Sequence, residues 1–287
     1  LTLQLLDIDE DDSRHEAARA AWTAYGDDAA TWRTDGRDAL QAALQNYSQA
    51  LAGGSDMDVP AAETAVRRVY EARRGMYDRL VELDDALHQR LAELDRDPGY
   101  QSRVDDARRL RQRTTDRLLP FGFAGQGESE LDPIVSLLRL RPGTTPDPDT
   151  LEMLRPDLEQ LNDLLAERRE AVLALAERND QWTIRTLART GDGSNYAAAS
   201  AGFIAEYPEF IGPYRRRVDD RSSRLAEVNR QCIDTLTEQL PPDESDRLRQ
   251  RTREAAFPMV YDDDLAAADY LRRARQLDDL SAEQLGT

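Results

Sequence analysis

The sequence predicts an all-α protein, a tandem repeat of long antiparallel helical hairpins with short bracing helices. Three observations support this fold class. Apolar residues recur at spacings of three and four over long stretches, no stretch alternates as a strand would, and the hexapeptide RLRQRT occurs at both 109–114 and 247–252. The copies are offset by 138 residues (247 − 109), and Leu119-Pro120 aligns with Phe257-Pro258 at that offset. We therefore expect one hairpin repeat at 1–140, a second at 141–276, and the start of a further helical unit at 277–287.

The first repeat is predicted to contain four helices. A helix capped by the acidic residues 7–12 and Ser13 runs to about Leu51, and a second begins near Val59 with a proline in its first turn. Pro98-Gly99 ends the second helix, a third runs to Pro120, and a short helix follows at about 132–140 after a Gly-rich connector at 121–130.

The second repeat is predicted to repeat this order after a turn-rich linker at 141–149. A long helix reaches about Leu187, residues 191–195 break it, and a looser stretch with prolines spans 203–213. A further helix carries 218–236, the second RLRQRT helix ends at Pro258, and a last helix begins near Asp262. The first helix of each repeat would be about 60 Å long and must pack on a partner helix.

Charge and composition exclude several classes of partner. The net charge of −18 disfavours binding to nucleic-acid backbones and to anionic membranes, and no apolar run reaches the 18 to 20 residues of a transmembrane segment. All 38 basic residues are arginines, which fits a GC-rich genome, life in salty water, or both. Because the sequence begins at Leu1 and ends as a new unit starts, we expect either a removed leader or a longer chain. The single cysteine, Cys232, has apolar helical spacing with Leu225 and Leu236 and is predicted to be buried.

No motif predicts a catalytic, cofactor-binding or metal-binding site. Asp7, Asp9 and Asp11 are spaced as in a calcium loop, but Asp12 and Ala18 occupy the positions that require Gly and Glu, so a helix cap explains them better. The Gly-rich segment 121–130 has no lysine after it and is predicted to be a connector rather than a phosphate loop.

One trio stays open as a weak zinc or nickel site. Asp84 and Asp85 precede His88 by four and three residues and share one helix face with it, but no third or fourth ligand is identifiable. The favoured interpretation is a solvated helix face, and no cofactor is predicted.

Arginine clusters and tryptophans are also predicted to be structural. The arginines of 108–117 and 247–253 are expected to form salt bridges that brace each hairpin end, with docking of an acidic peptide or a lipid headgroup as the alternative. Trp22, Trp32 and Trp182 have helical spacing and are expected between helices; an exposed one would mark an interface.

A short motif resembles the L-[ST]-x-x-Q motif of the CpxP/Spy-like periplasmic proteins. It reads LSAEQ at 280–284, with looser versions LPPDE at 240–244 and IDEDD at 8–12. Members of that family are helical hairpin proteins, some of them ATP-independent chaperones and others sensors of envelope or metal stress. The resemblance implies an exported, non-enzymatic helical protein in the periplasm or outside the cell.

Two functional hypotheses therefore lead. In the first, the chain is a non-enzymatic exported protein that binds other proteins, with chaperone-like or envelope-stress activity, and has an exposed apolar groove. In the second, it is a structural subunit of a larger envelope or extracellular assembly, which could include copies of itself. An enzyme or metal protein built around His88 or His15 is a third hypothesis, which we disfavour.

Overall fold

The computed structural model describes residues 5–8, 12–53, 56–118, 129, 131–141, 147–190 and 196–256; for 118, 190 and 196–205 it describes only the backbone. Within these residues the chain forms helices and no strand, so the all-α prediction is confirmed. The helices are α1 (His15–Leu51), α2 (Val59–Ala92), α3 (Pro98–Leu118), α4 (Pro133–Leu140), α5 (Pro148–Thr190), α6 (Tyr196–Gln239) and α7 (Pro242–Ala256). The expected third unit at 277–287 lies outside the described residues.

Local sequence explains where several helices begin. Asp58 and Asp132 cap α2 and α4: each carboxylate accepts hydrogen bonds from backbone N–H groups of the first turn, and a proline follows within two residues. Helix α7 begins at Pro242 and carries Asp243 and Glu244 in its first turn, where the helix dipole favours negative charge.

The four long helices pack side by side in the order α1, α2, α5, α6. Neighbours run antiparallel, because residues that meet are early in one helix and late in the next. Tyr25 of α1 reaches Asp84 of α2, and Tyr70 of α2 reaches Asp180 of α5. Helix α3 lies against both α2 and α5, whereas α4 and α7 pack at the end of α6.

Buried apolar residues form two clusters at different heights along these helices. The larger joins the start of α1, the ends of α2 and α6, and the short helices; it includes Leu87, Leu110 and Cys232. The smaller lies near the α1–α2 turn and joins Met57, Val66 and Tyr70 to α5. None of the described helices is long and apolar enough to cross a membrane.

The expectation of a looser stretch at 203–213 is wrong. Helix α6 continues through Pro208 and Pro213 without interruption. Each proline removes one backbone hydrogen bond, but packing holds the helix across the gap. Ile211 is 1 % exposed, and Phe210 packs on Trp182 of α5 with ring centroids 5.2 Å apart.

Candidate functional site

The trio considered for a metal is part of a buried network rather than a solvated face. Asp84 and His88 are 5 % and 3 % exposed, because α3 packs over this part of α2. The Asp84 carboxylate accepts hydrogen bonds from Tyr25, Arg111 and Thr115 at 2.7, 3.1 and 3.1 Å. The solvated-face interpretation is therefore wrong for these two residues.

The other two members of the trio also have polar partners, although His88 Nε2 is buried without a hydrogen-bond partner among the described residues. His88 Nδ1 lies 2.6 Å from the Asp84 carbonyl oxygen, and Asp85 forms an ion pair with Arg108 at 2.8 Å. Burial lowers the pKa of His88 and raises the pKa of Tyr25 to about 12. Among the described residues no group of three or more His, Cys, Asp or Glu side chains could hold a metal ion. Asp7 of the acidic cluster pairs with Arg103; Asp9 and Asp11 lie outside the described residues.

In the first copy of the repeated hexapeptide, Arg109, Arg111 and Arg113 form ion pairs with other parts of the fold, as predicted. In the second copy, the ion pair Arg247–Asp243 lies within α7. Arg113 is 1 % exposed and donates to the buried Asp132 carboxylate at 2.8 Å, which Arg117 also reaches at 2.8 Å. The two guanidinium groups hold the pKa of Asp132 well below its usual range against the opposing effect of burial. In the second copy, Arg251 donates to the Arg139 carbonyl oxygen. Both copies therefore hold α4.

Two of the three tryptophans serve mainly in packing. Trp22 meets Tyr25 edge to face at 5.6 Å, and Trp182 packs between Tyr207 and Phe210. Arginines stack on the same aromatic cluster, with the Arg178 guanidinium 3.4 Å from the Phe210 ring centroid. The contacts of Trp182 with Tyr207 and Phe210 join α5 to α6.

Trp32 has a different place, in a groove between α1 and α2 that we call the hairpin groove. Its wall from α1 consists of Asp28, Thr31, Trp32, Asp35, Gly36 and Ala39. Its wall from α2 consists of Ala72, Gly75, Met76, Arg79 and Leu83, and the volume of the groove is about 420 Å³. The Trp32 Nε1–H donates to the Met76 carbonyl oxygen at 2.8 Å and fixes the indole against α2.

Two glycines shape this groove in opposite ways. A Cβ on Gly36 would lie 2.9 Å from Met76 Cγ, so the absence of a side chain lets Met76 approach the α1 backbone. A Cβ on Gly75 would meet nothing within 4 Å, so the absence of a side chain there leaves open space. An apolar floor with a few polar groups at its edge is typical of a binding site.

Sequence reasoning missed the groove, although one signal pointed to it. In an antiparallel hairpin whose turn is centred near residue 55, residues whose numbers add to about 110 face each other. Gly36 and Gly75 satisfy this condition, and two facing glycines in a helical hairpin indicate either close approach or a gap.

Comparisons with protein-family models, with curated proteins and with solved structures find no match to this chain.

Proposed function

We propose that this chain is a non-enzymatic helical protein that binds a segment of another protein in the hairpin groove. The groove carries the proposal: it is open to solvent, apolar at its base, and formed by two helices whose other described neighbours do not line it. The polar side chains buried elsewhere support a structural rather than a catalytic role for the interior. Asp84, Asp116 and Asp132 each accept hydrogen bonds from neighbouring helices.

A tandem duplication of a hairpin unit belongs to the same proposal. Two long helices and a short one occur twice in the same order, and the RLRQRT copies lie on α3 and α7. Equivalent residues share roles: Leu110 and Leu248 are buried, and Thr114 and Thr252 donate to the carbonyl oxygens of those leucines. At the offset of 138, Gly75 corresponds to Pro213, so the second unit has no glycine at the position that leaves open space in the hairpin groove.

The resemblance to the CpxP/Spy-like proteins adds two points to this proposal: chaperone-like activity and an exported location. The loose motif at 240–244 lies at the start of α7, and the LSAEQ motif lies outside the described residues. Fractionation of producing cells, together with suppression of client aggregation by the purified chain, tests both points.

The binding experiment is a selection of displayed helical peptides on the immobilised protein, followed by titration of the enriched peptides. We expect peptides that bind one site tighter than about 100 µM, with a change in Trp32 fluorescence. Failure of every peptide class to bind at that concentration would overturn the proposal.

A structural subunit is the second candidate, favoured by the uncovered side of α1. The buried residues of α1 are Ala18, Ala21 and Tyr25, so the helix from residue 26 onward has no fully buried side chain. Light scattering after size-exclusion chromatography, at low and high salt, separates the two. A monomer or dimer at all salts supports the binding protein, whereas a large salt-dependent assembly supports the subunit.

A further inference from the structure

We propose that the occupant of the hairpin groove is a cationic amphipathic helix of another protein, three to four turns long. This inference rests on the proposed function and adds the chemistry of the partner. It follows from the length of the groove, the space at Gly75 and the charges along the edge.

Length and lining define the shape of the occupant. The α1 wall extends from Asp28 to Ala39 and the α2 wall from Ala72 to Leu83, so each spans about 17 Å of helix. Trp32, Met76 and Leu83 supply the apolar surface between them. A helix of similar length could place apolar side chains from successive turns on this surface, as in other helix-in-groove complexes.

The space above Gly75 gives the occupant an anchor point. Gly75 is exposed, and a Cβ at this position would meet nothing within 4 Å, whereas Met76 fills the space beside Gly36. A large apolar side chain of the partner could therefore lie against the α2 backbone at Gly75 and contact Trp32. Central, desolvated anchors of this kind contribute most of the binding energy in such interfaces.

The charges along the edge of the groove favour a positively charged partner. Asp28 and Asp35 line the α1 wall; Asp28 is paired with Arg90 at 3.7 Å, whereas Asp35 forms no hydrogen bond or ion pair with the described residues. Arg79, the arginine of the lining, is already paired with Glu82 at 2.6 Å. The net charge of −18 adds a long-range attraction for cations. The same charge opposes a second copy of this chain as the occupant.

The test uses calorimetric titration of the full chain with three helical peptides of about 14 residues. They share one apolar face and carry arginine, glutamine or glutamate on the polar face. We expect the arginine peptide to bind at least about tenfold tighter than the glutamine peptide, and its affinity to fall as salt rises. The glutamate peptide should bind most weakly.

Two glycine variants locate the site. Gly75→Leu adds to the groove a side chain whose Cβ would meet nothing within 4 Å, and it should weaken binding of the arginine peptide by about tenfold or more. Gly26→Leu is the matched control, because Gly26 is also an exposed helical glycine with nothing within 4 Å of its Cβ but lies outside the groove. Asp35→Asn should weaken the arginine peptide and leave the glutamine peptide unchanged. Circular dichroism verifies that each variant is folded.

The outcomes separate the two proposals. If the glutamine peptide binds as tightly as the arginine peptide and Gly75→Leu blocks both, the groove is a binding site but its cationic preference is wrong. If Gly26→Leu weakens binding as much as Gly75→Leu, or no peptide binds, both proposals fail. If Gly75→Leu converts a wild-type dimer into a monomer, the occupant is a second copy and this inference is overturned.

Discussion

Arg113 and Arg251 occupy the same position in the two copies of RLRQRT and hold opposite ends of one short helix. Arg113 donates to Asp132, which caps the start of α4, and Arg251 donates to the carbonyl oxygen of Arg139 in its last turn, both at 2.8 Å. A guanidinium suits both ends because it can neutralise a capping carboxylate and can donate to an orphan carbonyl group. The repeated motif thus joins the two halves of the chain through α4.

Substitution of these two arginines should nevertheless lower the free energy of unfolding by different amounts. Arg113→Ala leaves the buried Asp132 with only part of its charge compensated and should lower the free energy of unfolding by about 3 to 5 kcal/mol. Arg251 is exposed and makes one hydrogen bond there, so Arg251→Ala should cost about 1 kcal/mol or less. Urea denaturation measures both, and equal losses would contradict the assigned roles.

The Tyr77–Asp116–Arg169 cluster should be a second point of high sensitivity. Asp116 is buried between α2 and α5 and accepts hydrogen bonds from Tyr77 and Arg169 at 2.6 and 2.7 Å. Burial raises its pKa despite these partners. Arg169→Ala should cost about 3 kcal/mol or more, whereas Arg247→Ala, which removes an exposed pair with Asp243, should cost no more than about 0.5 kcal/mol. Urea denaturation measures both losses of unfolding free energy, and similar values for the two variants would contradict this prediction.

Acidification should destabilise the fold through His88. Burial lowers its folded pKa below the ordinary value of 6.5, so between these two pKa values the unfolded state binds more protons. The free energy of unfolding should therefore fall as pH drops below 6.5, by up to about 1.4 kcal/mol per pH unit. His88→Gln should remove this slope, and the difference between the two proteins cancels the contributions of the carboxyl groups. Parallel slopes in the two proteins would contradict the prediction.

The three helical glycines of the first hairpin should respond differently to alanine. Gly26→Ala and Gly75→Ala add a Cβ in open space and should each raise the free energy of unfolding by about 0.5 to 1 kcal/mol. Gly36→Ala should give no such gain, because its Cβ would displace Met76. Thermal and urea denaturation of the three variants provide the measurement, and a gain at Gly36 equal to that at Gly75 would contradict the described packing.

Cys232 should be unreactive until the protein unfolds. It is fully buried, and burial raises the pKa of its thiol to about 12, so little thiolate exists at neutral pH. A thiol reagent should label no cysteine in the native protein and one in denaturant. Rapid labelling of the native chain would show that this part of α6 opens readily.

Local patterns were sufficient to predict much of the fold. The end of α1, the start of α2 and the bounds of α4 follow from apolar spacing and turn or capping residues, and the burial of Cys232 follows from its neighbours. The cap expected for α1 is wrong, because Arg14 stands at its N-cap and makes no side-chain cap hydrogen bond. The expected end of α2 is also wrong, because α2 ends at Ala92 and Pro98 begins α3. The continuation of α6 through Pro208 and Pro213 could not be predicted, because packing on α5 overrides the local preference of proline. The tandem arrangement and the domain limits remain predictions.

Predicting the site requires the register between helices, which the apolar periodicity of the sequence does not supply. Apolar spacing identifies a face of α2 but not which helix covers it. The burial of His88 depends on α3, and the hairpin groove depends on which of the described helices pack beside Trp32. Gly36 and Gly75 acquire opposite roles only once Met76 is placed between them.

The separation of the two apolar clusters has a consequence for hydrogen exchange. Between Tyr25 and Tyr47, α1 packs on α2 without a fully buried side chain, whereas both ends of the hairpin join a cluster. Amide protons in this middle segment should exchange through local opening well before global unfolding. The hairpin groove lies along this segment, so a bound helix should slow exchange there most.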